Sequence, residues 1–387
     1  MSNTPKLRFP EFSGEWEKSE LGKFTQEITR VNPNSDAPIM MISAANGFIL
    51  QSNKYSKEMT GQSLKKYIEL HSGEFAYNHG ASKLKKYGAC FCLDLDKARI
   101  PFVYHCFKLT EGNTKFFSYL LNRTQLDSEL ARYISSSARM DGLLNISYAD
   151  YMKINISVPA LAEQQKIADF LSNVDSIITA ETKILNTLQK KKKALMQKLF
   201  TRQLRFKSDD SKEFPTWEEK KLGDVCDISA GGDIDKKNSQ KEFSKKYPYA
   251  VYSNSLEKKG LYGYANYFKI DGDTITVTGR GEVGHAVARH EKYVPIVRLL
   301  VCKPKDKVNV DFLENVINNT KIFIESTGVP QLTAPQLSKI IIRIPCLAEQ
   351  QKIADCLSSL DSLIQTQQKV VTTWKQRKKA LLQQMFI

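Results

Sequence analysis

Two loops of the sequence carry side chains that could recognise nucleic acid. The first runs from Tyr77 to Gly88, and the second from Gly279 to Gly284, with His285 directly after it. Amide, imidazole and hydroxyl groups can hydrogen-bond base edges, while Lys and Arg neutralise phosphates or reach guanine. A solvated basic turn is the alternative for each loop. The predicted contacts in these loops are Tyr77, Asn78, His79, Ser82, Lys83, Lys85, Lys86, Arg280 and His285.

Weaker candidates lie in three other polar segments. Two of them, Ser43-Ala44-Ala45-Asn46-Gly47 and Ser253-Asn254-Ser255, precede the glycine-containing loops. The third is the segment around Gly142. We predict further contacts from Ser43, Asn46, Ser253, Asn254 and Arg139.

The glycine-rich segment Gly279-Arg280-Gly281-Glu282-Val283-Gly284 also fits the GxGxxG pattern of dinucleotide-binding folds. That pattern needs a helix after the glycines. Residues 285–289 instead alternate between apolar and polar positions, as a second strand would. We therefore predict a β-hairpin turn here.

Signatures of catalysis are missing from the sequence. It has no GxxxxGK[ST] loop, no HExxH, no GxSxG and no Asn/Asp-Pro-Pro-aromatic segment of the kind amino-methyltransferases use. Five scattered histidines do not suggest a catalytic triad. We predict no catalytic residue in this chain.

The seven cysteines are an odd, scattered set, which is typical of a reducing compartment. A zinc site could be drawn from Cys90, Cys92, His105 and Cys106. No CxxC pair is present, however, and buried free cysteines are the commoner case. We predict no metal site.

The charge balance indicates a polyanionic partner. With 57 Lys and Arg against 42 Asp and Glu, the chain carries a net charge of +15, which favours nucleic acid or an anionic membrane surface. The longest apolar runs are too short for a membrane span and are broken by Arg298 and Arg343. The first residues lack the apolar stretch of a secretory signal, so we expect a cytoplasmic protein. A length of 387 residues favours two domains.

The elements that position these loops are predicted from a repeat. Leu161 to Asp169 recurs letter for letter as Leu347 to Asp355, and 14 of 18 positions match when the copies are extended to Ile178 and Ile364. Each copy follows a proline that ends a β-rich run, and each has a Glu in its first turn and basic residues near its end. These features predict two helices.

Apolar residues recur along both helices at alternating spacings of three and four over about five heptads, which indicates a coiled-coil seam. Each helix of roughly 40 residues would be about 60 Å long. The repeat favours antiparallel pairing, in which the midpoints of the helices cross near Glu181 and Gln367. These two polar residues either fix the register of the pair or are solvated breaks in the seam. Lys192 and Lys378 interrupt the seam at a second matching position. The predicted seam residues are Ile167, Leu171, Val174, Ile178, Leu185, Leu188, Leu195, Ile353, Leu357, Leu360, Ile364, Val371, Trp374 and Leu381.

The segments before the helices also correspond. Leu7-Arg8-Phe9 is echoed by Leu204-Arg205-Phe206, and each is followed by a Trp and a Leu-Gly. The start of the chain thus matches the segment after the first helix, a circular layout. Between Leu-Gly and the proline lie two dissimilar bodies, roughly residues 23–158 and 224–344, each with strand-like runs and a predicted helix.

Two dissimilar bodies, each followed by a helix that opens with Pro-x-Leu-Ala-Glu-Gln-Gln-Lys-Ile-Ala-Asp, resemble the specificity subunit of a type I restriction-modification system. The resemblance covers essentially the whole chain. It implies an α+β fold with two mixed α/β target recognition domains, separated by two long helices that form an antiparallel coiled coil with a pseudo-twofold circular repeat. The implied domains are residues 1–158 and 204–344, and the implied spacer helices are residues 159–203 and 345–387.

The resemblance also implies a function without catalysis. Each recognition domain would read one half of a bipartite, asymmetric double-stranded DNA site. The paired helices would set the spacing and dock two methyltransferase (modification) subunits, and restriction and translocase subunits would join the full complex. This chain would bind no cofactor, whereas the partners would use S-adenosylmethionine, ATP and Mg. The alternatives are a stand-alone nuclease or methyltransferase with an unrecognised site, and a coiled-coil scaffold that does not read DNA.

Overall fold

The computed structural model describes residues 4–54, 62–80, 82–134, 144–305, 308–320, 322 and 331–387. The predicted contact Arg139 lies outside these residues. The chain divides into two compact units, which we call the first unit, Met1–Glu181 with Val370–Ile387, and the second unit, Thr182–Lys369. Both boundaries fall inside the long helices, so each helix contributes one half to each unit.

The described part of the first unit contains ten short strands. Its described strands are β1 Glu17–Glu20, β2 Thr25–Glu27, β3 Met40–Ser43, β4 Gly47–Leu50, β5 Ile68–His71, β6 Phe75–Asn78, β7 Ala89–Cys92, β8 Lys97–Ile100, β9 His105–Leu109 and β10 Asn155–Val158. They form a four-stranded sheet in the order β2-β9-β6-β7 and the three pairs β1-β10, β3-β4 and β5-β8.

The second unit also has a four-stranded sheet and a strand pair, and it has a second four-stranded sheet in place of the other two pairs. Its described strands are β11 Glu218–Lys221, β12 Cys226–Ala230, β13 Ser239–Gln240, β14 Tyr249–Tyr252, β15 Leu261–Ala265, β16 Thr274–Val277, β17 Ala286–Arg289, β18 Tyr293–Pro295, β19 Leu300–Pro304 and β20 Ile341–Ile344. The sheets are β12-β19-β16-β17, β13-β15-β14-β18 and the pair β11-β20. The order β12-β19-β16-β17 is the counterpart of β2-β9-β6-β7, and β11-β20 is the counterpart of β1-β10.

The described helices are α1 Thr114–Leu121, α2 Asp127–Tyr133, α3 Tyr148–Met152, α4 Leu161–Phe200, α5 Leu222–Val225, α6 Val310–Asn319, α7 Ala334–Ser338 and α8 Leu347–Gln384. The two predicted body helices appear as α1 and α6. Each begins at an asparagine N-cap whose side chain accepts an amide hydrogen bond, Asn113 from Phe116 and Asn309 from Phe312. Each buries two or more large apolar side chains in its unit's core.

The two long helices confirm the prediction from the repeat, with 40 residues in α4 and 38 in α8. Their segments pair antiparallel within each unit. In the first unit Lys378 Nζ lies 2.6 Å from Asp175 Oδ1, and in the second unit Lys192 Nζ lies 2.5 Å from Asp361 Oδ1. The two ion pairs are equivalent, because Asp175 and Lys192 become Asp361 and Lys378 at the repeat offset of 186. Lys192 and Lys378 therefore do more than interrupt the seam.

All predicted seam residues occupy buried or half-buried positions. Those that are buried are Ile167, Leu171, Val174, Leu185, Ile353, Leu357 and Val371. Those that are half-buried are Ile178, Leu188, Leu195, Leu360, Ile364, Trp374 and Leu381. Glu181 and Gln367 are also half-buried, and their role in fixing register stays a prediction.

A buried carboxylate locks the start of each long helix onto its unit. In the first unit Glu163 accepts hydrogen bonds from Arg8 Nη2 at 2.7 Å and from Trp16 Nε1 at 3.3 Å. In the second unit Glu349 accepts the same bonds from Arg205 at 2.7 Å and Trp217 at 3.1 Å. The repeated Leu-Arg-Phe, Trp and Glu residues are thus three parts of one contact.

The next residues of the repeated motif bind the body helices. Gln164 Oε1 accepts the backbone N–H of Asn113 at 2.9 Å, and Gln350 Oε1 accepts that of Asn309 at 2.9 Å. The side chains of these two asparagines donate in turn to the neighbouring glutamines, Gln165 and Gln351. The identical sequence of the two copies therefore reflects an identical set of tertiary contacts.

Candidate nucleic-acid interface

In the first unit, two of the predicted contacts are interior residues, which corrects the prediction for them. Tyr77 is 1% exposed, stacks on Tyr151 with ring centroids 4.0 Å apart and donates its hydroxyl to the carbonyl oxygen of Tyr87. His79 is buried, with Nδ1 and Nε2 2.7 and 2.9 Å from the carbonyl oxygens of Leu144 and Val103. Strand β6 has a buried residue on each face, so Tyr77 lies inside with Phe75, and two backbone contacts hold His79 in the interior.

The other residues of this loop divide into anchors and surface groups. The amide of Asn78 donates to the carbonyl oxygen of Ile42 at 3.2 Å and accepts the N–H of Gly80 at 2.9 Å. Lys85 is half-buried and donates to the carbonyl oxygen of Asn122, and burial lowers its pKa. Ser82 accepts the N–H of Lys85 at 3.1 Å, which closes a tight turn. Lys83 and Lys86 remain exposed, as direct phosphate contacts require.

The bond from Asn78 to Ile42 joins this loop to the turn between strands β3 and β4. Asn46 in that turn is exposed, and Ser43, the last residue of β3, is half-buried. The bond places Ile42, the neighbour of the weaker candidate Ser43, against the start of the loop that carries Lys83 and Lys86. The contact of Ser43 and Asn46 with DNA stays a prediction.

In the second unit, the predicted hairpin is confirmed. Strands β16 and β17 pair antiparallel from Thr274–Arg289 to Val277–Ala286, with the glycine-rich segment as their connection. Arg280 lies exposed at this turn. His285 is also at the surface, and desolvation lowers its pKa, so at neutral pH it offers hydrogen bonds rather than charge.

Asn254 holds this turn against a second one. Its Oδ1 accepts the N–H of Gly279 at 2.7 Å, and its Nδ2 donates to the carbonyl oxygen of Val297 at 2.7 Å. Ser253 lies beside it and closes its own loop through its N–H, which donates to Gly260 O at 2.9 Å. Like Asn78 in the first unit, Asn254 thus positions the loops, and its contact with bases stays a prediction.

The second turn, Ile296 to Leu299, has an unusual backbone. Val297 and Arg298 adopt φ values of 54° and 58°, and Leu299 N–H donates to Ile296 O at 3.0 Å. Positive φ at both central residues is typical of type I′ turns, which normally use Asn or Gly. This turn accordingly separates β18 from β19.

The strained turn is held by its neighbours. The N–H groups of Val297 and Arg298 donate to the carbonyl oxygens of Gly232 and Gly231 at 2.9 and 3.0 Å. A Cβ on Gly231 would lie 2.7 Å from Pro295 backbone atoms, so only glycine permits this close approach. Sequence reasoning missed Arg298, because it stands inside an apolar run and its partners Gly231 and Gly232 are far away in the sequence.

A third loop of the second unit presents two lysines. Lys258 and Lys259 adopt φ values of 48° and 55° and are exposed. The buried guanidinium of Arg289 donates from Nη2 to Lys259 O at 2.5 Å and lies 3.5 Å from the ring centroid of Tyr252. Burial lowers the pKa of Arg289. These lysines were also missed, since nothing in the sequence places them beside the glycine-rich hairpin.

The three cysteines of the imagined zinc site are free thiols, and Cys90 and Cys106 are buried. Burial raises the pKa of both Cys90 and Cys92 to about 12, and it also raises that of Cys106. Metal ligation uses the thiolate, which such burial disfavours. Across the described ranges, no three His, Cys, Asp or Glu side chains gather in a way that could hold a metal ion. Within those ranges no helix is long and apolar enough to span a membrane.

Comparison with known proteins gives a consistent result. A family model described as "Type I restriction modification DNA specificity domain" matches residues 32–190 and again residues 215–373. A putative type I specificity subunit from Mycoplasma pneumoniae is 33% identical over 208 residues, covering 54% of this chain and 55% of that protein. A second one from the same organism is 25% identical over 256 residues, covering 65% and 74%. The chain thus spans about half the length of the first of these relatives.

The fold is also shared with solved structures. A type I restriction-modification system S subunit from M. genitalium superposes with a TM-score of 0.62 at 15% identity, covering 99% of each chain. A chain from a study of complex assembly and conformational transition of the type I R-M system superposes with a TM-score of 0.56 at 16% identity, covering 96% of this chain and 97% of that chain.

Proposed function

The chain belongs to the type I restriction-modification DNA specificity family, and from this premise we propose that each unit reads one half of a bipartite, asymmetric site in double-stranded DNA. One observation carries the proposal: the two units share a strand order but differ in their loops. Strand orders β2-β9-β6-β7 and β12-β19-β16-β17 correspond, whereas the loops at the glycine turns present Lys83 and Lys86 in one unit and Arg280 in the other. A common frame with unlike surface loops suits two readers of different sequences.

The proposal divides the DNA contacts into two kinds. A net charge of +15 supplies a salt-dependent attraction to phosphates, and the loops supply base contacts. Affinity should therefore fall steeply with salt, while the preferred sequence should stay the same.

Exchange of the body of one unit tests the proposal directly. Replacing residues 23–158 by the corresponding body of another specificity subunit should change only one half of the methylated site. The measurement is sequencing of methylated adenines in a host that carries this chain and its modification partner. A change in both halves would show that the units do not read independently.

The paired helices are proposed to set the distance between the half-sites. The ion pairs Asp175–Lys378 and Lys192–Asp361 fix an antiparallel register in which residue numbers of partners sum to 553. Deleting residues 179–185 together with their partners 368–374 would remove one heptad and preserve that register. About 10 Å of rod would be lost, and the unread gap should shorten by up to about 3 base pairs. An unchanged gap would assign the spacing to another element.

We further propose that this chain performs no catalysis and that partner subunits supply it. Two modification subunits would dock on the paired helices and use S-adenosylmethionine, and restriction and translocase subunits would use ATP and Mg. On this proposal the complex acts in the cytoplasm, where the host DNA lies.

Two simple assays separate this proposal from its alternatives. An enzyme with an unrecognised site should cut or methylate DNA when the purified chain is given Mg and S-adenosylmethionine; we expect no reaction. A scaffold without DNA readout should give no sequence-specific, salt-dependent gel shift in complex with the modification subunits; we expect such a shift.

A further inference from the structure

Two exposed arginines of the second unit lie in adjacent turns. Arg280 and Arg298 are both exposed, and neither side chain forms an ion pair or hydrogen bond with the residues that the structure describes. Their backbones adjoin, since a Cβ on Gly279 would lie 3.3 Å from the carbonyl oxygen of Arg298. Asn254 bonds to both turns and fixes their separation.

The backbone conformation that exposes Arg298 costs conformational energy. A β-branched residue and an arginine occupy positions of a turn that favour glycine or asparagine, and the contacts to Gly231, Gly232 and Asn254 keep them there. Strained backbone that the surroundings enforce is concentrated at functional sites. A phosphate contact, by contrast, needs only a mobile charge.

We propose that Arg298 is a specificity-determining residue which, with Arg280, reads guanine in the half-site of the second unit. The proposal rests on the proposed function and deepens it. The planar guanidinium presents a rigid fork of donors that matches O6 and N7 of guanine in the major groove. Two such forks on adjoining, fixed turns suit two neighbouring guanines, on the same or on opposite strands.

The test uses the complex of this chain with its modification subunits. Adenine methylome sequencing first gives the bipartite site, and the exchange of residues 23–158 identifies which half belongs to the second unit. Binding is then measured to duplexes in which each guanine of that half is replaced in turn by 7-deazaguanine, which lacks the N7 acceptor. Wild type should lose about 10-fold or more at the contacted guanine.

The variants Arg298→Gln and Arg298→Lys complete a thermodynamic cycle. Both lack the guanidinium fork, but the lysine keeps the charge. Each should bind the normal duplex about 10-fold or more weakly and lose little further affinity on 7-deazaguanine substitution. The control Arg202→Gln changes another exposed arginine of the same unit with a positive φ, 61°, and should behave as wild type.

Each outcome decides the proposal. A second half-site without a G·C pair would overturn it, as would equal 7-deazaguanine penalties in wild type and Arg298→Gln. Full activity of Arg298→Lys would assign Arg298 to a phosphate instead. If the wild-type complex shows no sequence-specific binding at all, the proposed function itself fails, and this inference fails with it.

Discussion

At the scale of single residues, the buried carboxylates of the repeated motif explain why the two copies agree. Glu163 is 2% and Glu349 is 0% exposed, and each accepts a two-pronged arginine contact and an indole N–H. The acidic residue in the first turn suits the helix dipole, as the sequence indicated. Its burial against an arginine from the preceding segment could not be predicted, because the partners are 155 and 144 positions away.

We predict that Glu349→Gln destabilises the second unit by about 2 kcal/mol, because it leaves the Arg205 guanidinium without its counter-charge. The value is below that of a fully buried pair, since Arg205 is 25% exposed. Glu163→Gln should have a similar effect in the first unit. The measurement is urea unfolding followed by tryptophan fluorescence, with Trp217 and Trp16 as local probes.

The control for this prediction is the exposed pair Arg343–Glu219. Glu219→Gln should change the free energy of unfolding by less than about 1 kcal/mol, because exposed ion pairs contribute little. Equal effects of the buried and exposed variants would contradict the importance of burial.

His290 should make stability depend on pH. Its Nδ1 lies 2.8 Å from Asp273 Oδ1 and its Nε2 3.1 Å from Asp311 Oδ1, and hydrogen bonding to Asp273 and then to Asp311 raises its pKa. A raised folded-state pKa gives stability that is complete below about 6.5 and is lost as pH rises through the folded value. His290→Gln should therefore be less stable than wild type at pH 5.5, by under about 1 kcal/mol. At pH 9, thermal unfolding should show little difference between the variant and wild type. A loss of stability that is larger at pH 9 than at pH 5.5 would contradict this prediction.

At the scale of elements, the two equivalent helix ion pairs are not identical in their surroundings. Asp175 also accepts the hydroxyl of Tyr119 at 2.7 Å, whereas in the described part of the chain the side chain of Asp361 accepts a hydrogen bond from Lys192 alone. Double-mutant cycles with alanine should give a coupling of about 0.5 kcal/mol for each Lys–Asp pair. Asp175→Ala should cost about 1 kcal/mol more than Asp361→Ala, because the Tyr119 hydroxyl loses its acceptor. Equal costs would show that this hydroxyl finds water instead.

A substitution in the strained turn between β18 and β19 should raise the stability of the second unit and weaken its specific DNA binding. Val297 has a φ of 54° and is 45% exposed, so Val297→Gly removes strain and little packing. We expect a gain of about 1 kcal/mol, or a rise of about 2–4 °C in Tm. Specific DNA binding should weaken, because a glycine turn holds Arg298 less rigidly. A fall in Tm would show that the side chain contributes more than the strain costs.

The long helices and their pairing could be predicted from the sequence, whereas most of the candidate nucleic-acid interface could not. The repeat and its three-four spacing predicted α4, α8 and their antiparallel pairing, because these features are local and occur twice. The loops occur once each, and burial decides which of their residues face solvent. Tyr77 and His79 have the chemistry of base readers but lie inside, whereas Arg298 stands in an apolar run and lies outside.

At the scale of the whole molecule, equivalent residues close the core of both units. Phe386 packs against Trp16 and Phe116 with ring centroids 6.1 and 5.3 Å away, and Phe200 packs against Trp217 and Phe312 at 6.5 and 6.2 Å. Leu7 N–H donates to Gln384 O, as Leu204 N–H donates to Lys198 O. The circular layout read from the sequence thus corresponds to matching contacts in the two units.

A circular permutant should consequently fold and keep its specificity. Residue 387 would be joined directly to residue 1, and the new chain would begin at Lys212, in the exposed turn that Ser208 closes. The new join leaves nine residues between Gln384 and Leu7, where Lys198 and Leu204 are separated by five, so the join is longer than its counterpart in the second unit. The methylated site should be unchanged. A permutant that folds but methylates a different site would contradict the equivalence of the two junctions.

The sharing of both long helices has a consequence for biosynthesis. The second unit is one continuous stretch, Thr182–Lys369, whereas the first needs Val370–Ile387 to complete its core. On the ribosome the first body emerges early but must wait for Met385 and Phe386, with Trp16 and Phe116 uncovered meanwhile. The half of the protein that is made first should therefore be the last to reach its native state.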